Sequence, residues 1–395
     1  MPVRHRLTCM LTLVLALGVQ ERAQAARGME VAVQDDAVLM GRLYGSATKT
    51  LELVSQLRAS RIRVNVSWSY VVGRAAKLRT APRRIAYNWT GYDALIRKAA
   101  PHGIRLQLTL TGPAPAWATG NHRIGPYKPR ASAFRAFATA AAEHFRGRVD
   151  RYSIWNEPNY VRWLSPLSRG PKLYRALYVA GHDAIKRADP GAKVLIGETS
   201  PFETRGRSTA PLGFLRAVTC ATREYAAARI CDTLEADGYA QHAYDPTHPP
   251  GYRYPGADNV TLATLDRLTG ALDDLAAEGL LTTPDGEPLA VYVTEYGFFA
   301  SGKKRISASR HAKYLVQAFK MAQANPRVRQ MLQYLIVKPQ GNYSHFDTSI
   351  ADRHGRPALA FKKLAAWGTD ALASGRIAAP ALGGAGNCSL PVCLP

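Results

Sequence analysis

Between about residues 30 and 375 the chain alternates repeatedly between a short β-branched run and a longer segment with one apolar face. Few architectures accept that pattern. The runs fall at 30–34, 61–67 (RIRVNVS), 104–110 (IRLQLTL), 149–155, 193–197 (KVLIG), 236–242, 290–295 (AVYVTE) and 331–338 (MLQYLIVK). A candidate helix follows each. In one, Phe134, Phe137, Ala138, Ala141 and Phe145 recur at helical spacing as a single buried stripe; Leu173, Leu177, Ala180 and Ala184 do the same in the next. Eight strand–helix units predict an α/β fold, a closed (β/α)8 TIM barrel in one domain. The main rival, an open doubly wound sheet, carries Gly-x-Gly-x-x-Gly after its first strand, and this chain has none there.

Loop lengths point the same way. Helix-to-strand connections are tight, such as PHG at 101–103 and DPGA at 189–192. Strand-to-helix connections are long, roughly 68–91, 111–131, 156–171, 198–211, 242–259, 296–306 and 339–357. One face of the barrel therefore carries nearly all the elaboration, and in this architecture that face holds the site.

The ends predict export. Arg4, His5 and Arg6 precede an uncharged, mostly apolar run from Leu7 to Val19, and Ala23-Gln24-Ala25 offers small residues for cleavage. Residues 1–25 thus read as a signal peptide, 26–375 as the barrel, and 376–395 as a short Gly/Ala/Pro-rich tail. The apolar run is too short for a comfortable membrane anchor. Cleavage removes Arg4, Arg6 and Arg22 against Glu21, which lowers the formal charge from +23 to about +21. No motif or aromatic-interleaved basic run indicates nucleic acid. Four cysteines remain. Three connectivities exist for them, and local pairing of Cys220 with Cys231 and Cys388 with Cys393 is expected in an oxidising compartment.

Chemistry is suggested by two carboxylates. Glu157, in YSIWNEPN (152–159), closes the fourth run; Glu295, in VYVTEYGF (291–298), closes the seventh. Strand ends on the loop-bearing face converge over one opening. Glycosidic bond cleavage needs one carboxyl to protonate the leaving oxygen and another to attack the anomeric carbon or activate water. Either glutamate alone reads as an ordinary salt-bridged residue; two at matching strand ends do not.

WNEPN and TEYGF resemble the fourth- and seventh-strand signatures of clan A retaining glycoside hydrolases, closest to family 39 and the related family 5. The resemblance covers nearly the whole chain after residue 25. It implies a double displacement with Glu157 as acid/base and Glu295 as nucleophile, and no metal or organic cofactor. Arg63 matches the clan's arginine beside the nucleophile, and Asn156 its asparagine at the sugar 2-hydroxyl. His242 and Tyr244 match the sixth-strand His-x-Tyr pattern, whose tyrosine hydrogen-bonds the nucleophile. Trp68, Trp117 and Trp155 lie at or just past strand ends, with Trp117 the favoured stacking platform. The eighth strand departs from the clan, which commonly has a tryptophan there; this chain reads QYLIVKPQ (333–340) and offers Lys338 instead.

The long loops are basic. The second holds Arg74, Lys77, Arg79, Arg83 and Arg84, the third Arg123, Lys128 and Arg130, and the seventh Lys303, Lys304 and Arg305. Such a rim favours an anionic glycan, although a solvated surface explains it as well. The expectation is a secreted retaining glycoside hydrolase acting on an extracellular or wall polysaccharide. The alternatives are a transglycosylase using the same glutamates and a glycan-binding barrel without catalysis; a metal-dependent hydrolase is the least favoured.

Overall fold

The computed structural model describes residues 28–40, 44–341 and 345–381. The expected signal peptide and the Cys388–Cys393 pair lie outside these residues. Eight strands form the lumen: β1 Glu30–Gln34, β2 Arg61–Ser67, β3 Arg105–Thr111, β4 Arg151–Ile154, β5 Lys193–Thr199, β6 Gly238–His242, β7 Val291–Glu295 and β8 Val328–Tyr334. Each pairs in parallel with its neighbour in the chain, and β8 returns to β1, closing the barrel. The principal helices are α1 Ala47–Gln56, α2 Thr90–Ala99, α3 Ala131–Phe145, α4 Gly170–Ala188, α5 Pro211–Thr219, α6 Leu265–Ala277, α7 Ala308–Ala324 and α8 Leu359–Ala373. The expected (β/α)8 fold is the observed one.

The two-residue period of a strand explains how the lumen becomes polar while the outer layer stays apolar. In β2, Ile62, Val64 and Val66 join the main core between strands and helices, whereas Arg61 and Arg63, on the opposite face, hydrogen-bond to lumen carboxylates. At the N-terminal end of the barrel Arg61 and Arg151 grip Glu30 at 2.9 and 2.6 Å, and Asp150 adds a second partner for Arg61 at 2.7 Å. That end is an ion cluster sealed by its own pairing. The α3 stripe is fully buried as expected. In α4 the inward face is carried by Tyr174, Leu177, Tyr178, Ala180 and Ala184, while Leu173 is only half-buried.

Among the strand ends that differ from expectation, two have a backbone cause. β4 stops at Ile154 because Trp155 turns to φ +67°, and β8 stops at Tyr334 because Leu335 turns to φ +61°. The sixth strand begins at Gly238, two residues later than expected, and just before it Leu234–Glu235 pairs with Leu281–Thr282 as a small separate sheet. Cys220 and Cys231 are disulfide-bonded. Among the described residues, no helix is long and apolar enough to cross a membrane.

Candidate active site

Two parallel-strand bulges shape the C-terminal mouth of the barrel. The pairing of β5 with β6 slips between Gly197 and Thr199, which makes Glu198 the extra residue. Gly197 has φ +109°, and a Cβ there would lie 2.5 Å from the Ala240 carbonyl oxygen, so only glycine fits. A second slip between β6 and β7 makes Thr294 the extra residue before Glu295. Bulges re-aim side chains, and here they bring Glu198 and Thr294 together: Thr294 Oγ1 donates to Glu198 Oε2 at 2.7 Å.

Glu198 is the residue that sequence reasoning missed. Its side chain is 0% exposed, as are those of Arg63 and His242. Arg63 Nη2 donates to it at 3.0 Å, His242 Nε2 contacts it at 2.8 Å, and Ser153 Oγ donates at 2.5 Å. Burial alone would raise this carboxyl, but Arg63, His242 and Ser153 outweigh it and hold it at about 2. The expected fifth strand ends at Gly197 and assigns Glu198 to the loop. Its signal was nevertheless the one used for the other two glutamates, a carboxylate closing a strand on the loop-bearing face.

Above this buried anion stand the two predicted glutamates. Arg63 Nη1 donates to Glu295 Oε1 at 2.7 Å, and the Tyr244 hydroxyl donates to Oε2 at 3.2 Å. Asn156 Oδ1 accepts from Arg63 Nη2 at 2.7 Å, which leaves its amide NH2 as the donor end. Gln34 also accepts from Arg63, so the guanidinium is saturated. Glu157 approaches from β4: its Oε1 lies 3.2 Å from His242 Nδ1, while Glu295 Oε2 lies 3.6 Å from the same nitrogen. Two carboxylates sharing one imidazole nitrogen can have these oxygens no more than about 7 Å apart, a bound that includes the ~5–5.5 Å carboxyl separation of a covalent route. Glu157 is 17% exposed and Glu295 12%. Those two can meet a ligand; Glu198 cannot.

His242 is the hinge of the charge distribution. Burial would lower its pKa, but Glu295, Glu157 and Glu198 together push it up to about 9. At neutral pH it is an imidazolium, with Nδ1–H donating to Glu157 and Nε2–H to Glu198. Burial pushes the Glu295 carboxyl above the usual carboxylate range; His242 and Arg63 pull it back, and the charges of Glu157 and Glu198 add to the rise.

The backbone is strained where these groups sit. Trp155, Glu157 and Glu198 have φ of +67°, +41° and +53°, the left-handed region that side chains with a Cβ avoid. The Glu157 amide is anchored in that posture by donating to the Glu198 carbonyl at 2.9 Å.

The remaining sequence candidates fall elsewhere. Trp68 is 0% exposed, stacked on Phe137 at 5.4 Å and met edge-on by Trp117 at 5.6 Å. Trp117 itself is 4% exposed. Neither offers an open ring face, and the platform role read for them is corrected: they fill the core beneath their loops. Trp155 is buried too, its Nε1 donating to the Trp163 carbonyl at 2.8 Å. Lys338 lies four residues beyond β8, exposed, its backbone N–H donating to the Ala351 carbonyl. Where the clan's eighth-strand tryptophan would be expected, Tyr334 and Phe346 instead stand edge-on to Tyr244, at 6.4 and 5.6 Å.

Solved structures share the closed eight-stranded parallel barrel. A family 39 glycoside hydrolase from the gut symbiont Bacteroides cellulosilyticus WH2 superposes with TM-score 0.64 at 18% identity, over 87% of this chain and 64% of that one. The GH39 enzyme from Xanthomonas axonopodis pv. citri gives 0.55 at 17%, over 87% and 67%. The GH5-4 broad specificity endoglucanase from Clostridium acetobutylicum gives 0.54 at 13%, over 86% and 96%. At these identities the likeness establishes the fold. No protein-family profile and no curated protein sequence matches the chain.

Proposed function

We propose that this protein is an exported retaining glycoside hydrolase. The observation that carries the reading is the convergence of Glu157 and Glu295, the two ligand-accessible carboxylates, on one buried imidazolium. The donor sets support a division of roles. Glu295 accepts from both Arg63 and Tyr244, hydrogen bonds that offset part of the cost of ionising a buried nucleophile, whereas Glu157, whose described side-chain partner is His242, has the greater exposure that an acid/base exchanging protons with water requires. In the first step the Glu157 carboxyl protonates the glycosidic oxygen while a Glu295 oxygen bonds to the anomeric carbon, breaking the bond to the leaving group. In the second, Glu157 takes a proton from water, whose oxygen attacks the same carbon and releases Glu295. Asn156, whose Oδ1 accepts from Arg63, would donate its amide to the sugar 2-hydroxyl, a bond that strengthens in the transition state. The solved barrels of similar shape described as family 39 and family 5 enzymes support the activity, and the Cys220–Cys231 disulfide supports export.

The test is a panel of aryl glycosides and wall glycans with the first-formed anomer followed by NMR. Retention of configuration is expected; an inverted first product would overturn the double displacement. The pH profile adds a second check. Glu295 must be ionised to attack, and its pKa is raised, so the acidic limb of kcat/KM should lie above the ordinary glutamate value of about 4.5. A limb below that value would show that Glu295 is not the group titrating.

A further inference from the structure

We propose that the cleft between the β3–α3 and β4–α4 loops is a subsite for a negatively charged unit of a polysaccharide, set away from the bond that is cleaved. The inference rests on the glycosidase reading and names its substrate class. The cleft is about 210 Å³ and is lined by Pro113, Pro126, Arg162 and Trp163. Trp163 is half-buried, held by its N–H on the Tyr160 carbonyl at 2.9 Å and by its own carbonyl under Trp155 Nε1. Tyr160 N–H in turn donates to the Glu157 carbonyl at 2.9 Å, so the backbone at Trp163 is tied by a short chain of bonds to the proposed acid/base. A half-buried indole beside an exposed guanidinium is a pairing suited to stacking on a sugar face and gripping an anion.

Charge around the cleft is one-sided. The loops at 68–89, 112–130, 158–169 and 200–210 carry twelve lysines and arginines and one carboxylate, Glu203. Eleven of the twelve are exposed, and Lys128 is half-buried. Elsewhere Arg135 pairs with Asp183 and Arg216 with Asp258, but among the described residues none of the twelve has a carboxylate partner. Backbone bonds stitch these loops into one wall: Ser69 N–H to the Pro113 carbonyl, Lys128 N–H to Ser165, and Val161 N–H to Arg207, at 3.0, 2.8 and 2.8 Å. The interior has the opposite balance. Asp36, Glu157, Glu198 and Glu295 surround Arg63 and His242, so an anionic sugar is disfavoured where the bond breaks and favoured at the rim.

The experiment measures binding to the Glu157→Gln variant at low salt, so that the polymer is not consumed. Two matched pairs are used, polygalacturonate with its methyl ester and phosphomannan with its dephosphorylated form, together with polyphosphate, which has charge but no sugar. At least one charged glycan should bind tenfold or more tighter than its neutral twin, and the better of the two tells whether carboxylate or phosphate is recognised. Arg162→Gln and Trp163→Ala should each weaken it at least fivefold, while Lys363→Gln on α8 leaves it unchanged. Equal binding within both pairs would overturn the proposal. So would polyphosphate binding as tightly as the glycans with no effect of Trp163→Ala, which is simple attraction to a basic surface. Cleavage of neutral glycans without any anionic preference would sink this inference alone; tight anionic binding with no cleavage by the unmodified protein would sink the hydrolase reading instead.

Discussion

Replacing Glu295 with glutamine is expected to lower turnover of an aryl glycoside by about 10³-fold or more, because the proposed covalent step would lose its nucleophile. Glu157→Gln should cost about 10²–10⁴-fold, most severely with poor leaving groups that need a proton. Folding should survive both, since each side chain is partly open to solvent and Arg63 retains Glu198 as a buried partner. Azide separates the roles. In Glu295→Gln it can only attack the substrate directly, and one displacement yields a glycosyl azide of inverted configuration. In Glu157→Gln with an activated leaving group the glycosyl ester still forms, and azide displacing Glu295 yields a retained product. The products are assigned by NMR. Near-normal turnover in either variant would end the assignment, and exchanged stereochemistry would reverse it.

The second large effect is expected at Glu198, which touches no ligand. Glu198→Gln removes the one fully buried counter-charge shared by two fully buried cations, Arg63 and His242, and should destabilise the fold by about 3–5 kcal/mol as measured by denaturant unfolding near pH 6. The pH dependence identifies the mechanism. Glu198 is held at about 2 in the folded state against an ordinary value of 4.5, so its contribution is fully present above about pH 4.5 and is lost as pH falls toward 2. The gap between the two proteins should therefore narrow on acidification through that window. Equal stability at pH 6 would show that the buried charge contributes nothing. A constant gap down to pH 2 would assign the loss to packing.

What the sequence made legible follows from locality. The barrel is written in the period of short strands and longer helices, and Glu157 and Glu295 could be read because each closes a run with a distinctive neighbourhood. Arg63 was visible as a charge inside an apolar strand, and the structure shows why: it faces the lumen while Ile62 and Val64 face outward. Glu198 also follows a run directly, but its inward aim comes from a bulge, which pairing geometry creates and composition does not announce. The tryptophans misled because exposure is a tertiary property. Trp68 and Trp117 sit near strand ends just as a platform would, yet the Phe134–Phe137 stripe of α3 claims Trp68, and Trp117 packs against it. Trp163, the indole that does line a cleft, lies inside a loop where no periodicity marks it.

The left-handed backbone at Trp155 and Glu157 has an implication for engineering. At Glu157, which is partly open to solvent, glycine or asparagine would rest more easily, by about 1 kcal/mol or more; at Trp155 the loss of a buried indole outweighs any such relief. Selection for heat resistance alone would therefore drift toward replacing Glu157, and the protein would harden as its proposed acid/base disappeared. Any campaign to toughen this barrel should hold those two positions fixed and look for its gains among the helices.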